Sequence, residues 1–100
     1  MKRLTYLSIA EIELAEAADY YEAWQPGVGR AFLDAIRTAG ERIQRAPETW
    51  AFLQQPVRSY RVSPFPYRLL YRDLPDRVQI IAVVHLSRKP GYWKKRLAQE

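Results

Sequence analysis

The second half of the chain holds the residues whose types and spacing suit chemistry. His85 is the only histidine in the 100-residue sequence, and an unperturbed imidazole titrates near neutrality, which suits proton transfer. Beyond it, Tyr92 and Trp93 stand among cations, which are Arg88, Lys89, Lys94, Lys95 and Arg96. Such a segment combines attraction for an anionic partner with aromatic surface for an anchoring contact.

Each of these side chains also has a structural explanation. His85 follows an apolar stretch, where a hydrogen bond to a neighbouring group would account for it, and we favour that role over proton transfer. Trp93 could stack on a base, but packing against the core is the role that we favour for it. Arg58 and Arg68 could pair with acidic residues of the first helix or of a partner instead of holding phosphate.

The composition predicts one folded domain over residues 1–100, expected in the cytoplasm. Hydrophobic residues make up 48% of the chain, and no apolar run reaches the roughly 20 residues of a membrane helix. The net charge of +5 favours nucleic acid, a ribosome or an acidic protein as partner. Cysteine is absent, which excludes disulfides and thiolate metal sites. We expect no metal and no cofactor.

Two helices are predicted in the first half, after a short strand at Arg3 to Leu7. Ser8 with Glu11 three positions later resembles a capping box, so we expect the first helix to begin at Ile9. Its periodic positions are Ile12, Ala15, Ala18 or Asp19, and Glu22, and Pro26 with Gly27 should end it near Trp24. The second helix should begin at Val28 and end before Pro47, and its predicted buried face is Val28, Phe32, Ala35, Ile36, Ala39 and Ile43.

Three strands are predicted after the helices, because the apolar period changes to two. They are Val57 to Val62, Tyr67 to Arg72 and Val78 to Val84, and their short connections require antiparallel neighbours. The almost continuous apolar run from Ile80 to Val84 indicates a strand buried on both faces. The predicted fold class is therefore α+β, a helical hairpin packed on a small antiparallel sheet in the order β-α-α-β-β-β.

Several segments together resemble toxins of the RelE/ParE type. They are Ala15 to Tyr21, Gly29 to Leu33, Pro47, Arg58, Phe65 to Tyr71 and Ala82 to Trp93. The resemblance implies the toxin of a type II toxin-antitoxin pair, with the fold class already predicted. It also implies an antitoxin, ParD-like or similar, as partner in a hetero-oligomeric complex. Such an antitoxin docks a helix in a groove and sometimes adds a strand to the sheet, at the exposed edge near Arg3 to Leu7 or at its neighbour.

The two branches of that family imply different targets. The RelE branch resembles ribosome-dependent nucleases that cut messenger RNA, which would make Arg61, Arg68, His85, Arg88 and Tyr92 the catalytic candidates. The ParE branch inhibits DNA gyrase by binding, which would make Arg88, Lys89, Tyr92, Trp93, Lys94, Lys95 and Arg96 the target-binding residues. No lysine-rich segment stands between Trp50 and Tyr60, so we rank gyrase inhibition first. The alternatives are the nuclease and an inactive, antitoxin-binding protein.

Overall fold

A hairpin of two helices covers one face of a five-stranded sheet in the computed structural model, which describes residues 1–98. The helices are α1 (Ser8–Trp24) and α2 (Val28–Arg45). The strands are β1 (Arg3–Tyr6), β2 (Phe52–Gln54), β3 (Val57–Arg61), β4 (Tyr67–Asp73) and β5 (Arg77–His85). A short 3-10 helix follows at Lys94–Ala98. No helix within residues 1–98 is both long enough and apolar enough to span a membrane.

The predicted fold class is confirmed, with two additions in the sheet. The strand order is β1-β5-β4-β3-β2, and β1 runs parallel to β5 while the other neighbours are antiparallel. A parallel pair needs a long connection, and here the helical hairpin and strands β2, β3 and β4 lie between β1 and β5 in the sequence. The second addition is β2, which has three exposed residues and an irregular register with β3. So short and exposed a strand carries no alternating apolar pattern that would predict it.

The start of α1 differs from the prediction. The helix begins at Ser8, its N-cap is Leu7, and no side chain caps it. The Leu7 carbonyl accepts hydrogen bonds from the Ala10 and Glu11 amides, at 2.9 and 3.1 Å. The predicted capping box between Ser8 and Glu11 is therefore wrong, because Ser8 is already inside the helix.

The buried face of α1 also differs from the prediction. Ala10, Ala17 and Ala18 are buried, whereas Ile12 is 51% exposed. Small alanines let α1 approach its neighbours closely, so spacing alone does not reveal which side faces inward. In α2 the predicted face is correct, because Phe32, Ile36, Ala39 and Ile43 are buried.

A glutamate of α1 holds the hairpin connection. Gly27 adopts a φ of 93°, a left-handed conformation that costs glycine little. The Glu22 carboxylate accepts hydrogen bonds from the Gly27 and Gly29 amides at 3.0 to 3.1 Å, and so satisfies free donors at the start of α2. A Cβ on Gly29 would lie 2.7 Å from the Ala18 carbonyl oxygen. The helices can therefore cross this closely only with glycine here.

The sheet presents two faces with different surroundings. Side chains alternate along a strand, and Tyr67, Leu69 and Tyr71 of β4 point towards the helices, where the Tyr67 ring centroid lies 5.0 Å from that of Phe32. Arg68 and Leu70 point the opposite way, to what we call the outer face. The C-terminal segment, which we define as residues 86–98, covers part of the outer face, since Arg72 of β4 donates to the Leu97 carbonyl at 3.3 Å. The functional candidates lie where this segment meets the sheet.

Candidate functional site

A cleft of about 350 Å³ opens between the outer face and the C-terminal segment. Its apolar lining includes Leu70, Val84 and Trp93. The cations that line it are Arg68, Arg88, Lys89 and Lys94. No acidic side chain within residues 1–98 lines the cleft, which favours negatively charged ligands or partners. We call it the basic cleft.

A sharp turn directs the C-terminal segment back onto the sheet. Gly91 has a φ of 79°, and its carbonyl accepts a hydrogen bond from the Lys94 amide at 3.0 Å. Trp93 follows the turn and is 4% exposed. Trp93 is thus part of the core, as we favoured from the sequence, and its indole has little surface to offer a partner. Lys94 and Lys95 remain exposed.

The carboxylate of Glu13 in α1 fastens this segment to the domain. Its Oε1 accepts hydrogen bonds from Nη1 of Arg96 at 2.8 Å and from the Val83 amide at 3.1 Å. Its Oε2 accepts from Nη2 of Arg96 at 2.9 Å and from the Tyr92 hydroxyl at 2.6 Å. The Arg96 Nη1 also donates to the Ile81 carbonyl at 3.0 Å. The side chains of Arg96 and Glu13 are only 11% and 13% exposed, so Arg96 points inward.

The same contacts bridge the free edge of β5. Pairing with β1 ends at Ile80 of β5, so on that side the next backbone groups of β5 have no neighbouring strand. Two of them, the Ile81 carbonyl and the Val83 amide, bond to Arg96 and Glu13 instead. A buried backbone group without a partner costs free energy, and this ion pair removes that cost at the edge.

The pKa values of Glu13 and Tyr92 reflect this arrangement. Burial raises the pKa of Glu13, but hydrogen bonds from Arg96, Tyr92 and the Val83 amide outweigh it and lower the pKa below its ordinary value. Burial and the hydrogen bond to Glu13 raise the pKa of Tyr92 well above 10. Glu13 is therefore ionised and Tyr92 protonated at neutral pH. Neither group is set to exchange protons with a substrate.

The aromatic ring of Tyr92 positions an exposed cation. The Arg88 guanidinium lies over this ring, 3.9 Å from its centroid, and Arg96 lies 4.9 Å away. Cation-π contact holds Arg88 without removing it from solvent. Of the predicted target-binding residues, Arg88, Lys89, Lys94 and Lys95 are exposed, while Tyr92, Trp93 and Arg96 point mainly inward.

His85 ends β5 at the rim of the basic cleft. Its Nδ1 accepts a hydrogen bond from the Ser87 amide at 3.0 Å and lies 2.8 Å from the Ser87 hydroxyl. The proton of the neutral ring therefore belongs on Nε2. The ring packs edge-on against Tyr67, with centroids 5.2 Å apart. Because the Nδ1 lone pair already has a donor, the ring is poorly arranged to accept a proton from a substrate.

Arg61 and Arg68 are opposite each other on β3 and β4, and both are exposed. Cross-strand partners share a face of the sheet and lie about 5 Å apart at Cβ. Two cations at this spacing repel each other unless an anion lies between them. Arg61 donates a long hydrogen bond of 3.4 Å to the Phe65 carbonyl. Arg58 does not pair with α1: it donates to the Glu48 and Trp50 carbonyls.

Four of the five catalytic candidates, Arg68, His85, Arg88 and Tyr92, line the basic cleft, and Arg61 is the cross-strand partner of Arg68, but their side chains are engaged in different contacts. Arg61 and Arg68 extend from the outer face, His85 packs towards Tyr67, and Tyr92 is bonded to Glu13. Within residues 1–98, no three histidine, aspartate or glutamate side chains cluster closely enough to hold a metal ion. The arrangement suits recognition of a partner better than proton transfer.

Comparison with known proteins identifies the family. Residues 5–90 match the ParE toxin of type II toxin-antitoxin systems. The chain belongs to the ParE toxin family. Toxin ParE2 of two Mycobacterium tuberculosis strains, CDC 1551 / Oshkosh and H37Rv, is 31% identical over 94 residues, which are 90% of this chain and 87% of each relative. The resemblance inferred from the sequence is thereby confirmed on its ParE side.

A solved structure shares the fold of this ParE-family toxin. It is described as the chromosomal ParDE system from P. aeruginosa, and it superposes with a TM-score of 0.74. The match covers 85% of this chain and 96% of that chain at 19% identity, so it supports the fold alone.

Sequence reasoning missed the central residue of this toxin's C-terminal arrangement. In the sequence, Glu13 is one of five acidic residues in the first helix, which are Glu11, Glu13, Glu16, Asp19 and Glu22. Glu13 lies on the side of α1 that carries the buried Ala10 and Ala17, but the sequence does not single it out because spacing alone does not show that this side faces inward. The sequence does not reveal that its partner is 83 residues away.

Proposed function

We propose that this ParE-family toxin inhibits DNA gyrase by direct binding and is neutralised by a cognate antitoxin. The observation that carries the proposal is a row of exposed cations on a firmly held C-terminal segment: Arg88, Lys89, Lys94 and Lys95. Charges fixed before binding cost less ordering at the interface. Complementary charge then sets which partner binds and how fast.

Binding accounts for the geometry better than catalysis does. A nuclease of the RelE kind needs a base, an acid and phosphate-holding cations around one reacting group. Here the lone pair of His85 is occupied by Ser87, and the Tyr92 hydroxyl is bonded to Glu13. A protein-binding toxin has no such requirement and needs only the surface.

The antitoxin is expected to use a different part of the molecule. β1 is an edge strand, and an edge strand offers unpaired backbone groups to an added strand. Exposed apolar side chains of α1, including Tyr20 at 68% and Trp24 at 69%, offer area for a docking helix. Antitoxin binding should therefore survive changes that remove the C-terminal cations.

Purified toxin should inhibit supercoiling by gyrase or trap cleaved DNA. Replacing Lys89, Lys94 and Lys95 with Gln should weaken the inhibition at least about tenfold, if each lost charge contributes about 0.5 kcal/mol. The matched control replaces Arg30, Arg37 and Arg45 of α2, which are exposed and remove the same charge. Equal inhibition by both variants would contradict the proposed surface. An unaffected gyrase would contradict the proposed target.

A nuclease remains the second candidate because Arg61 and Arg68 form an exposed cation pair of the kind that holds phosphate. We expect messenger RNA on the ribosome to stay intact when the toxin is added. If RNA is cut instead, Arg61→Gln and His85→Ala should each lower the rate, the latter by about 10² to 10⁴ for a lost acid or base. A toxin without effect on either target that still binds its antitoxin would support the inactive alternative.

A further inference from the structure

We infer that Glu13 is a positioning residue of the proposed gyrase-binding surface: through Tyr92 and Arg96, it sets the place from which the C-terminal cations face the partner. The inference rests on the proposed function, which supplies the role of those cations. Glu13 lies in α1, far along the chain from every cation that it positions. It would contact neither gyrase nor DNA itself.

The first step is the bidentate pair between Glu13 and Arg96. Both Nη atoms of Arg96 bond to the carboxylate, at 2.8 and 2.9 Å. Parallel bonds of this kind fix orientation as well as distance, which a single contact to lysine would not do. Arg96 lies in the short 3-10 helix with Lys94 and Lys95. The pair therefore fixes the helix that presents both lysines.

The second step runs through Tyr92 to Arg88. The Tyr92 hydroxyl donates to Glu13 at 2.6 Å, and the Arg88 guanidinium lies 3.9 Å from the centre of the same ring. Turning the ring would move the surface on which Arg88 rests. Glu13 thus holds one exposed cation through an aromatic ring and two others through a helix.

Other contacts within residues 1–98 also hold the segment, and one of them is the hydrogen bond from Arg96 Nη1 to the Ile81 carbonyl at 3.0 Å. Arg72 donates to the Leu97 carbonyl at 3.3 Å, which is a long bond to the backbone. Trp93 anchors the segment by burial, but apolar contact is not directional and does not set where neighbouring side chains point. Without the carboxylate, the segment should stay near the sheet while its cations occupy many arrangements.

The experiment compares Glu13→Gln with Glu16→Gln, a matched change at an exposed acid of the same helix. We expect Glu13→Gln to weaken gyrase inhibition about tenfold, equivalent to ordering one or two more side chains at binding. Glu16→Gln should change it less than twofold. Backbone amides of Val83, Lys94 and Arg96 should exchange hydrogen faster in Glu13→Gln alone, while amides of α2 stay protected.

Tyr92→Phe and Tyr92→Ala test the second step and keep the inference open to refutation should Glu13→Gln fail to fold. Tyr92→Phe keeps the ring beneath Arg88 and loses only the bond to Glu13, so it should retain more inhibition than Tyr92→Ala. The inference is overturned if the Glu13→Gln segment exchanges as in the wild type. It is also overturned if the segment loosens while inhibition is unchanged.

Failure of the proposed function looks different. If wild-type toxin leaves gyrase unaffected, the proposed target is wrong. Amide exchange still reports whether Glu13 holds the segment. Growth arrest of cells that express the toxin then replaces supercoiling as the measure of activity. Under growth arrest, a loosened and fully toxic Glu13→Gln would overturn the positioning role. A loosened and weakened variant that still binds antitoxin would support it.

Discussion

At the scale of single residues, the charge of Glu13 affects the stability of the toxin. Its carboxylate is buried with Arg96, and a buried ion pair is not strongly stabilising when compared with apolar packing. Removing one partner is strongly destabilising, because the charge of the other residue then stays buried without an opposite charge beside it. At neutral pH we expect Glu13→Gln to lower the free energy of unfolding by about 3 kcal/mol.

The stability of the toxin should depend on pH through Glu13. Its pKa in the folded chain lies below the ordinary 4.5, so the unfolded chain takes up the proton at higher pH than the folded one. This stabilisation is therefore complete above about pH 4.5 and lost as the pH falls through the lower folded pKa. Melting temperatures measured from pH 7 to pH 2 should fall more steeply for the wild type than for Glu13→Gln. Parallel curves would contradict the lowered pKa.

At the scale of elements, the helical hairpin depends on Gly29 more than on Gly40. A Cβ on Gly29 would meet the Ala18 carbonyl oxygen at 2.7 Å, whereas a Cβ on Gly40 would meet the end of the Leu4 side chain at 2.8 Å. Backbone cannot move aside without shifting the helix, but a leucine methyl can rotate.

Gly29→Ala should therefore destabilise the toxin by about 1 to 3 kcal/mol through overpacking. Gly40→Ala should be nearly neutral, because the gain in helix propensity of about 1 kcal/mol offsets the movement of Leu4. Chemical denaturation of both variants measures the difference. Similar losses at the two positions would show that the hairpin tolerates separation near Gly29.

The elements of this fold differ in how well sequence predicts them. The predicted start of α2 was correct to the residue, because the apolar residues of this helix recur with one helical period. Phe32 and Ile43 lie on the same side of the helix, so the pattern predicts a single buried face. The strands β3, β4 and β5 were correct within about two residues for the same reason. The buried face of α1 was predicted less well, because that face is built from alanines while Ile12 and Trp24 face solvent. There the hydrophobic pattern reports exposed surface rather than core.

The candidate site was predictable in its composition and not in its arrangement. The exposed cations Lys89, Lys94 and Lys95 follow from charge density near the chain's end. That Arg96 would turn inward does not follow, because an arginine in a basic run gives no local sign of a distant carboxylate. Arg96 differs from its exposed neighbours because it pairs with Glu13, which lies 83 residues earlier in the chain.

At the scale of the whole molecule, charge is unevenly distributed between α1 and the basic cleft. α1 carries five acidic residues and no basic one, whereas no acidic residue within residues 1–98 lines the basic cleft on the outer face. An approaching partner therefore experiences a field that turns the toxin before contact. The orientation is set by the separation of charge, not by the net charge of +5.

Association with gyrase should accordingly slow as salt is added. Between about 50 and 500 mM salt the Debye length falls from roughly 14 Å to roughly 4 Å. The association rate should fall at least about tenfold while the dissociation rate changes little. Surface plasmon resonance at several salt concentrations measures both rates. An association rate that does not change with salt would indicate that contact is made through apolar surface, such as Tyr20 and Trp24 of α1.

The tie between α1 and the C-terminal segment has a consequence for genetics. If activity depends on Glu13, then substitutions that abolish toxicity but keep the toxin folded and bound by its antitoxin should fall in two places far apart in the gene. One group would fall in the codons for residues 86–98. The other would fall on a single codon of the first helix, that of Glu13, with the neighbouring acidic codons untouched.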